Sequence, residues 1–184
     1  MFGSPAAGLV FTGVFAATGG YSLLLLARAP AGTDRVAEVA HLLMSIAMVA
    51  MTWGWTGGPG TPTGVAQIAV FGLFGAWFLA HQLRTGGPVL SGPTYHVLVL
   101  GAMVWMVAAM PGPTGTAAAG GHAHHAAAAG AGPSTGLVTV AAAALLVAAA
   151  GWWAVRGVRT RRRLEACCHV LMSLGMAAML VAMV

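Results

Sequence analysis

The stretch HLLMSIAMVAM, from His41 to Met51, decides the fold, and related stretches begin at His96 and His169. Counted from each histidine, a methionine recurs seven and ten residues later in every copy, and three residues later in two copies. These methionines are Met44, Met48, Met51, Met103, Met106, Met172, Met176 and Met179. Such offsets lie on one face of an α-helix, in the spacing of helices that pack as a bundle. The sequence therefore predicts three helices that each carry a stripe of one histidine and several methionines.

The composition places these helices in a membrane. The chain has 184 residues and is 59% hydrophobic but only 6% charged, whereas a soluble domain has about 25% charged residues. Its net charge of +5 comes from arginines beside apolar segments, without the aromatic-interleaved basic patch typical of nucleic-acid-binding proteins. Its two adjacent cysteines provide no disulfide framework. We therefore expect an integral membrane protein whose partner is the lipid bilayer and which binds no nucleic acid.

Six apolar segments are each close to the length that crosses a bilayer, about 20 residues for a hydrocarbon core of about 30 Å. They span residues 6–27, 36–55, 65–83, 95–110, 137–155 and 164–184. The first lacks a preceding basic region, so we interpret it as a retained helix and not as a cleaved signal peptide. Because lipid offers the backbone no hydrogen-bond partners, we predict an all-α integral membrane protein with six transmembrane helices.

The arginines predict the orientation of these helices. They lie between segments one and two, three and four, and five and six, at Arg28, Arg35, Arg84, Arg156, Arg159, Arg161, Arg162 and Arg163. The positive-inside rule puts these three connections in the cytoplasm and both termini outside, with the chain in the inner (plasma) membrane. The outer loop 111–134 is rich in Ala, Gly and Pro, and we expect it to be mobile.

The same elements repeat three times along a single membrane domain, residues 1–184. Each unit is a helical hairpin in which a helix without the stripe precedes a helix that has it, and the units cover 6–55, 65–110 and 137–184. Three units of equal topology predict a pseudo-threefold axis along the membrane normal. We expect the three striped helices at the centre with their stripes inward, and the other three in an outer ring.

Stacked rings of histidine and methionine would suit a soft metal ion. Thioether sulfur is a neutral, soft ligand that selects Cu(I) among biological metals, and neutral imidazole also binds copper. In a threefold bundle the histidine ring and the last methionine ring would lie about 15 Å apart at the helical rise per residue. We therefore interpret the three histidines and the eight methionines of the stripes as a Cu(I) site, in a copper channel, importer or intramembrane copper holder.

Two resemblances accompany this pattern. The spacings Met44-x3-Met48 and Met172-x3-Met176 match the MxxxM pattern of the Ctr-type copper importers, whereas the second copy has Val99 in the first position. The stripe resembles that family's pore, which implies Met triads along an axis and metal-binding residues at the cytoplasmic mouth. The chain as a whole, with its repeated H-x2-M-x3-M pattern, also resembles an uncharacterised actinobacterial multi-pass membrane family, and this likeness implies no activity.

Other side chains are candidates for metal capture and exit. His122, His124 and His125 of the outer loop are either a capture site or a feature of a low-complexity segment. Cys167 and Cys168 are either an exit site or small apolar packing residues, since Cys167 points nearly opposite the adjacent histidine on a helix.

Several residues are better explained by the membrane interface. Glu38 and Glu165 precede the first and third histidines by about one turn. They are expected to pair with Arg35 and Arg162, or alternatively to orient the imidazoles as hydrogen-bond acceptors. His81 is interpreted as an interfacial residue.

Two other functions remain open at this point. Paired histidines on facing helices are typical of b-type haem proteins, although three equivalent histidines and many methionines do not suit that use. In the second alternative, the protein is a structural or signalling component of the membrane, and its methionines only fill space between the helices. The chain has no nucleophile beside a base, no phosphate-binding loop and no HExxH motif, so we predict that it is not an enzyme. The pattern indicates a metal ion as ligand and identifies no protein partner.

Overall fold

The computed structural model describes residues 5–28, 32–86, 92–110, 133–160 and 163–183. These residues form six α-helices and no strand, as the sequence predicts. The helices are α1 (Pro5–Leu26), α2 (Thr33–Thr52), α3 (Pro62–Thr85), α4 (Gly92–Ala108), α5 (Pro133–Thr160) and α6 (Arg163–Val181). Five of them are long and apolar enough to cross a membrane, and α4, with 17 residues, is a shorter apolar helix. The chain therefore has the helices of a multi-pass membrane protein.

The ends of α3 show how local chemistry sets a helix boundary. The Thr61 side chain caps the start, because its Oγ1 accepts a hydrogen bond from the backbone N–H of Gly64 at 3.1 Å. Pro62 follows as the first helical residue, where its missing N–H has no partner to lose. The helix ends at Gly86, whose φ of 60° lies in the left-handed region that favours glycine. These signals extend the helix beyond both ends of the predicted segment 65–83.

Neighbouring helices pack as antiparallel hairpins, and the most extensive contacts join α1 to α2, α3 to α4 and α5 to α6. In the first hairpin, Trp53 Nε1 donates a hydrogen bond to Thr12 Oγ1 at 2.9 Å near one end. Thr18 Oγ1 and Ser45 Oγ lie 3.3 Å apart near its middle. Each odd-numbered helix also contacts one even-numbered helix of another hairpin: α1 packs on α6, α5 on α4 and α3 on α2.

The buried core follows the even-numbered helices. Of the most apolar stretch of each helix, 44% is buried in α2 and 50% in α6, against 22% in α1, 17% in α3 and 28% in α5. All eight methionines of the stripes are at most 4% exposed and belong to one contiguous cluster, together with Val99. Large apolar side chains of the odd-numbered helices, such as Leu24, Leu73 and Leu145, are instead exposed. The outer surface is therefore apolar, as a lipid-facing surface requires.

Candidate metal site

The histidines that head the three stripes come together at one end of the bundle. The ring centroid of His41 on α2 lies 4.8 Å from that of His96 on α4 and 4.9 Å from that of His169 on α6. The centroids of His96 and His169 are 6.3 Å apart. All three side chains are more than nine-tenths buried. The fold therefore collects three imidazoles that are far apart in the chain into one cluster, here called the histidine triad.

Aromatic side chains of the odd-numbered helices α3 and α5 contact two of these rings. His96 stacks on Phe78 of α3, with centroids 4.5 Å apart and an interplanar angle of 15°. His169 stacks on Trp153 of α5 at 4.2 Å and 29°. In each case the aromatic residue belongs to the same hairpin as the histidine that it contacts. Stacking on a rigid aromatic ring restricts the imidazole to one orientation and shields one of its faces.

Tyr95 of α4 links the triad to α6. Its hydroxyl donates a hydrogen bond to the carbonyl oxygen of His169 at 3.1 Å. The same hydroxyl lies 2.9 Å from Ser173 Oγ, which can donate to it. The tyrosine ring approaches the His169 ring edge-on, with centroids 4.8 Å apart. These contacts fix the backbone that carries the third histidine.

Each histidine of the triad keeps one ring nitrogen without a hydrogen-bond partner. The unpartnered buried atoms are Nε2 of His41, Nε2 of His96 and Nδ1 of His169. His96 Nδ1 lies 2.7 Å from the carbonyl oxygen of Gly92, so this nitrogen carries the proton and donates it. Its Nε2 atom then has a free lone pair. Metal-binding histidines have this arrangement, in which the other nitrogen is held by a carbonyl group.

A cavity of about 370 Å³ adjoins the triad at the arginine-bearing end of the bundle. Its described lining includes all three histidines and the acidic residues Asp34, Glu38 and Glu165. Ser22 of α1 donates a hydrogen bond to the Glu38 carboxyl group, while Glu38 Oε2 is buried without a partner. Four unpartnered buried polar atoms thus belong to side chains that line one cavity.

The prediction of an ion pair between Glu38 and Arg35 was wrong. Arg35 is exposed and forms no ion pair with Glu38, although both residues are described. The reason is that α2 turns the Glu38 side chain toward α1, where Ser22 is its partner. For Glu165, the expected partner Arg162 lies outside the described residues.

The cavity and the stripes do not by themselves form a closed metal cage. Two imidazoles that share a metal at about 2.1 Å have ring centroids no more than about 6.5 Å apart, and all three separations satisfy this bound. However, no group of three or more His, Cys, Asp or Glu side chains within the described ranges is arranged to hold a metal ion. A metal at the triad would therefore need a further ligand, such as a thioether, or a reorientation of the rings.

The remaining candidates are less closely associated with this site. His122, His124 and His125 lie outside the described residues. Cys167 is exposed and Cys168 is half-buried, and neither is among the described residues that line the cavity.

His81 stacks on Trp77 with ring centroids 5.6 Å apart, and it is not among the described residues that line the cavity. Phe78, Tyr95 and Trp153 contact the histidine triad and were not predicted from the sequence. The available signal was an aromatic residue 18 positions before His96 and another 16 before His169, in the helix that precedes each.

Comparison with known proteins identifies a family but no activity. The profile described as "Domain of unknown function (DUF5134)" matches residues 33–183, from the first residue of α2 to the end of α6 and just beyond. No curated protein and no solved structure matches the chain significantly, so the resemblance to the Ctr-type importers stays a likeness of pattern. Because the match covers most of its length, the chain belongs to the DUF5134 family.

Proposed function

We propose that this protein binds Cu(I) within the membrane, as a copper channel, importer or holder. The observation that carries the proposal is the histidine triad, whose three unpartnered nitrogens lie at the head of a buried cluster that contains all eight stripe methionines. Along each even-numbered helix the histidine comes first and the methionines follow. An ion that moved inward from the triad would therefore meet thioether sulfur.

The packing order supports a threefold arrangement of the hairpins. In a bundle with a threefold axis, each outer helix contacts its own inner helix and the inner helix of one neighbouring unit. The contacts of α1 with α6, α5 with α4 and α3 with α2 follow such a cyclic order. Two pairs of inner helices, α2 with α4 and α4 with α6, also touch directly. We infer that the stripes face a common axis, and that the methionines seven and ten residues after each histidine form two levels of three sulfurs.

The chemistry of the cluster favours a soft monovalent ion. Hard cations such as Mg²⁺ and Ca²⁺ need oxygen ligands, and the described core around the methionines contains apolar side chains and a few hydroxyl groups. Thioethers are neutral and soft, so they stabilise Cu(I) without placing a buried anion in the bundle. In the proposed orientation the triad is on the cytoplasmic side of the plasma membrane, and both termini are outside.

The ring positions make a haem less suitable. A haem ligated by two of the histidines would need an open slot between their rings. His96 and His169 have the widest separation, but the ring of His41 lies 4.8 Å from one and 4.9 Å from the other. This third ring occupies the space that a macrocycle would require. An absorption spectrum of the purified protein separates the two proposals, because a bound b-type haem gives a Soret band and Cu(I) gives none.

The experiment that tests copper binding removes the three sulfur atoms of one level, that of the methionines seven residues after each histidine. Met48→Leu, Met103→Leu and Met176→Leu are combined, and Cu(I) binding to purified protein is measured by competition with a chromophoric chelator. We expect the dissociation constant to rise more than about 100-fold, which corresponds to about 2.8 kcal/mol. Stability should change by less than about 1.5 kcal/mol per site, because Leu and Met have similar volumes.

A matched control uses two methionines that lie beyond the last stripe methionine of their segments. Met110→Leu with Met183→Leu changes two other methionines of the even-numbered segments, and Cu(I) affinity should stay within about twofold of the unmodified protein. If the wild-type protein binds no Cu(I), or binds it equally well after the triple change, the sulfur levels are packing residues. The protein would then be better interpreted as a structural or signalling component.

A further inference from the structure

The acidic residues of the chain are concentrated at the end of the bundle that carries the histidine triad. The chain contains only three Asp and Glu residues, and Asp34, Glu38 and Glu165 all line the cavity beside the histidine triad. Asp34 and Glu165 lie in the first turns of α2 and α6, where a negative side chain also stabilises the helix. Glu38 lies beyond the first turn, so the helix dipole does not account for it.

Glu38 is also incompletely paired. Its Oε2 atom is buried and has no hydrogen-bond partner, although the rest of the carboxyl group is bonded by Ser22. A buried carboxylate oxygen without a partner is unfavourable unless something else binds it. The other unpartnered buried atoms of the described lining residues are the three imidazole nitrogens, on side chains that are at least nine-tenths buried. Four groups that can each bind a cation therefore share one cavity.

The surroundings of the cavity have the opposite charge. Arg35, Arg84, Arg156, Arg159 and Arg163 are exposed at this end of the bundle, and only Arg28 of the described arginines is in the cavity lining. These exposed arginines would repel a metal cation. A cavity that attracts cations must therefore contain negative charge of its own. Its described lining carries Asp34 and Glu38 against the single guanidinium of Arg28, and it includes Glu165, which also interacts with another group.

We propose that this cavity is a cation vestibule, in which Asp34, Glu38 and Glu165 draw a metal cation from water to the histidine triad. Carboxylate oxygen, imidazole nitrogen and thioether sulfur then follow one another from the open end inward, from the hardest ligand to the softest. A hydrated cation would exchange its water for protein ligands in steps. The identity of the cation as Cu(I) rests on the proposed function, whereas the preference of the cavity for cations does not.

The charge preference can be measured without a metal. Ala37 lines the cavity one residue before Glu38, so Ala37→Cys places a thiol inside it, with Cys167→Ser and Cys168→Ser removing the native thiols. The rates of modification by a trimethylammonium and by a sulfonate methanethiosulfonate reagent are compared in detergent-solubilised protein. The ratio of the two modification rates reports the local electrostatic potential, because any steric restriction that slows both reagents equally cancels in the ratio. Thr85→Cys, at an exposed position beside Arg84, is the matched control.

We expect the cation-to-anion rate ratio at Ala37→Cys to exceed the control ratio by about tenfold or more at low salt. Adding Asp34→Asn, Glu38→Gln and Glu165→Gln together should lower this rate ratio to the control value. If the triple variant does not fold, Glu38→Gln is measured alone, and it should lower the ratio in part. A ratio equal to the control, or one unaffected by Glu38→Gln, would overturn the vestibule. Loss of Cu(I) binding by the protein would overturn the proposed function and leave this result unchanged.

Discussion

The even-numbered helices, with 17 to 20 residues, are shorter than the odd-numbered ones, with 22 to 28, and the two sets also differ in what their side chains contact. Helices α2 and α6 bury about half of their most apolar stretch, at 44% and 50%, while α3 buries 17%. The methionines of the stripes lie in the buried set, and large aliphatic residues dominate the exposed set. In a membrane the outer surface is as apolar as the core, so hydrophobicity alone does not distinguish them. What distinguishes them is the type of buried residue and the histidine that precedes it.

The largest expected effect comes from one substitution made on both kinds of helix. Leu100 of α4 is completely buried, whereas Leu73 of α3 is 72% exposed. Leu100→Ala should destabilise the protein by about 2 to 5 kcal/mol, because it leaves a cavity in the core. Leu73→Ala should change stability by less than about 0.5 kcal/mol, because most of this side chain lies outside the packed core. Unfolding in mixed micelles of detergent and SDS measures both values, and equal losses would contradict the difference in burial between the two sets of helices.

The second prediction concerns a contact between hairpins. Gly175 of α6 lies against Phe15 of α1, and a Cβ atom added there would be 2.6 Å from Phe15 Cζ. Gly175→Ala should therefore destabilise the protein by about 1 to 3 kcal/mol through overpacking. Gly101→Ala on α4 is the control, since an added Cβ would meet nothing within 4 Å. It should raise stability by about 0.5 to 1 kcal/mol, because alanine favours the helix.

A double substitution sharpens this second test. If the clash with the Phe15 ring causes the loss, Gly175→Ala should be less harmful when combined with Phe15→Leu than it is alone. The interaction free energy from the two single variants and the double variant should be at least about 0.5 kcal/mol. Purely additive effects would mean that Gly175 is needed for some reason other than the approach of α1 to α6.

The position of the stripes could be predicted from sequence because their signal is periodic. The spacing of a histidine followed by methionines predicted that these side chains share one helix face, and all of them are buried, as is Val99, which replaces a methionine in the second copy. Phe78 and Trp153 could not be found in this way, because each reaches its histidine from a different helix and aromatic residues are common in membrane segments. The partner of Glu38 was predicted wrongly for a related reason. Helical spacing suggested Arg35, whereas the packing of α1 against α2 provides Ser22.

The smallest expected effect tests how far the three even-numbered helices are equivalent. Tyr95 precedes its histidine directly, and the corresponding residues of the other two helices are Ala40 and Cys168, so one stripe has a hydroxyl that the others lack. That hydroxyl bonds the His169 carbonyl oxygen and the fully buried Ser173. Tyr95→Phe should destabilise the protein by about 0.5 to 1.5 kcal/mol, measured in the same mixed micelles.

The only other tyrosine provides the control for this variant. Tyr21 lies on α1, and Tyr21→Phe should change stability by less than about 0.5 kcal/mol. If Tyr95 also holds His169 in place for a metal, Tyr95→Phe should weaken Cu(I) binding by up to about tenfold, while Tyr21→Phe leaves it unchanged. A loss of stability without any loss of affinity would show that the bond only joins α4 to α6. Since the carbonyl group that Tyr95 binds belongs to His169 itself, we expect both quantities to change together.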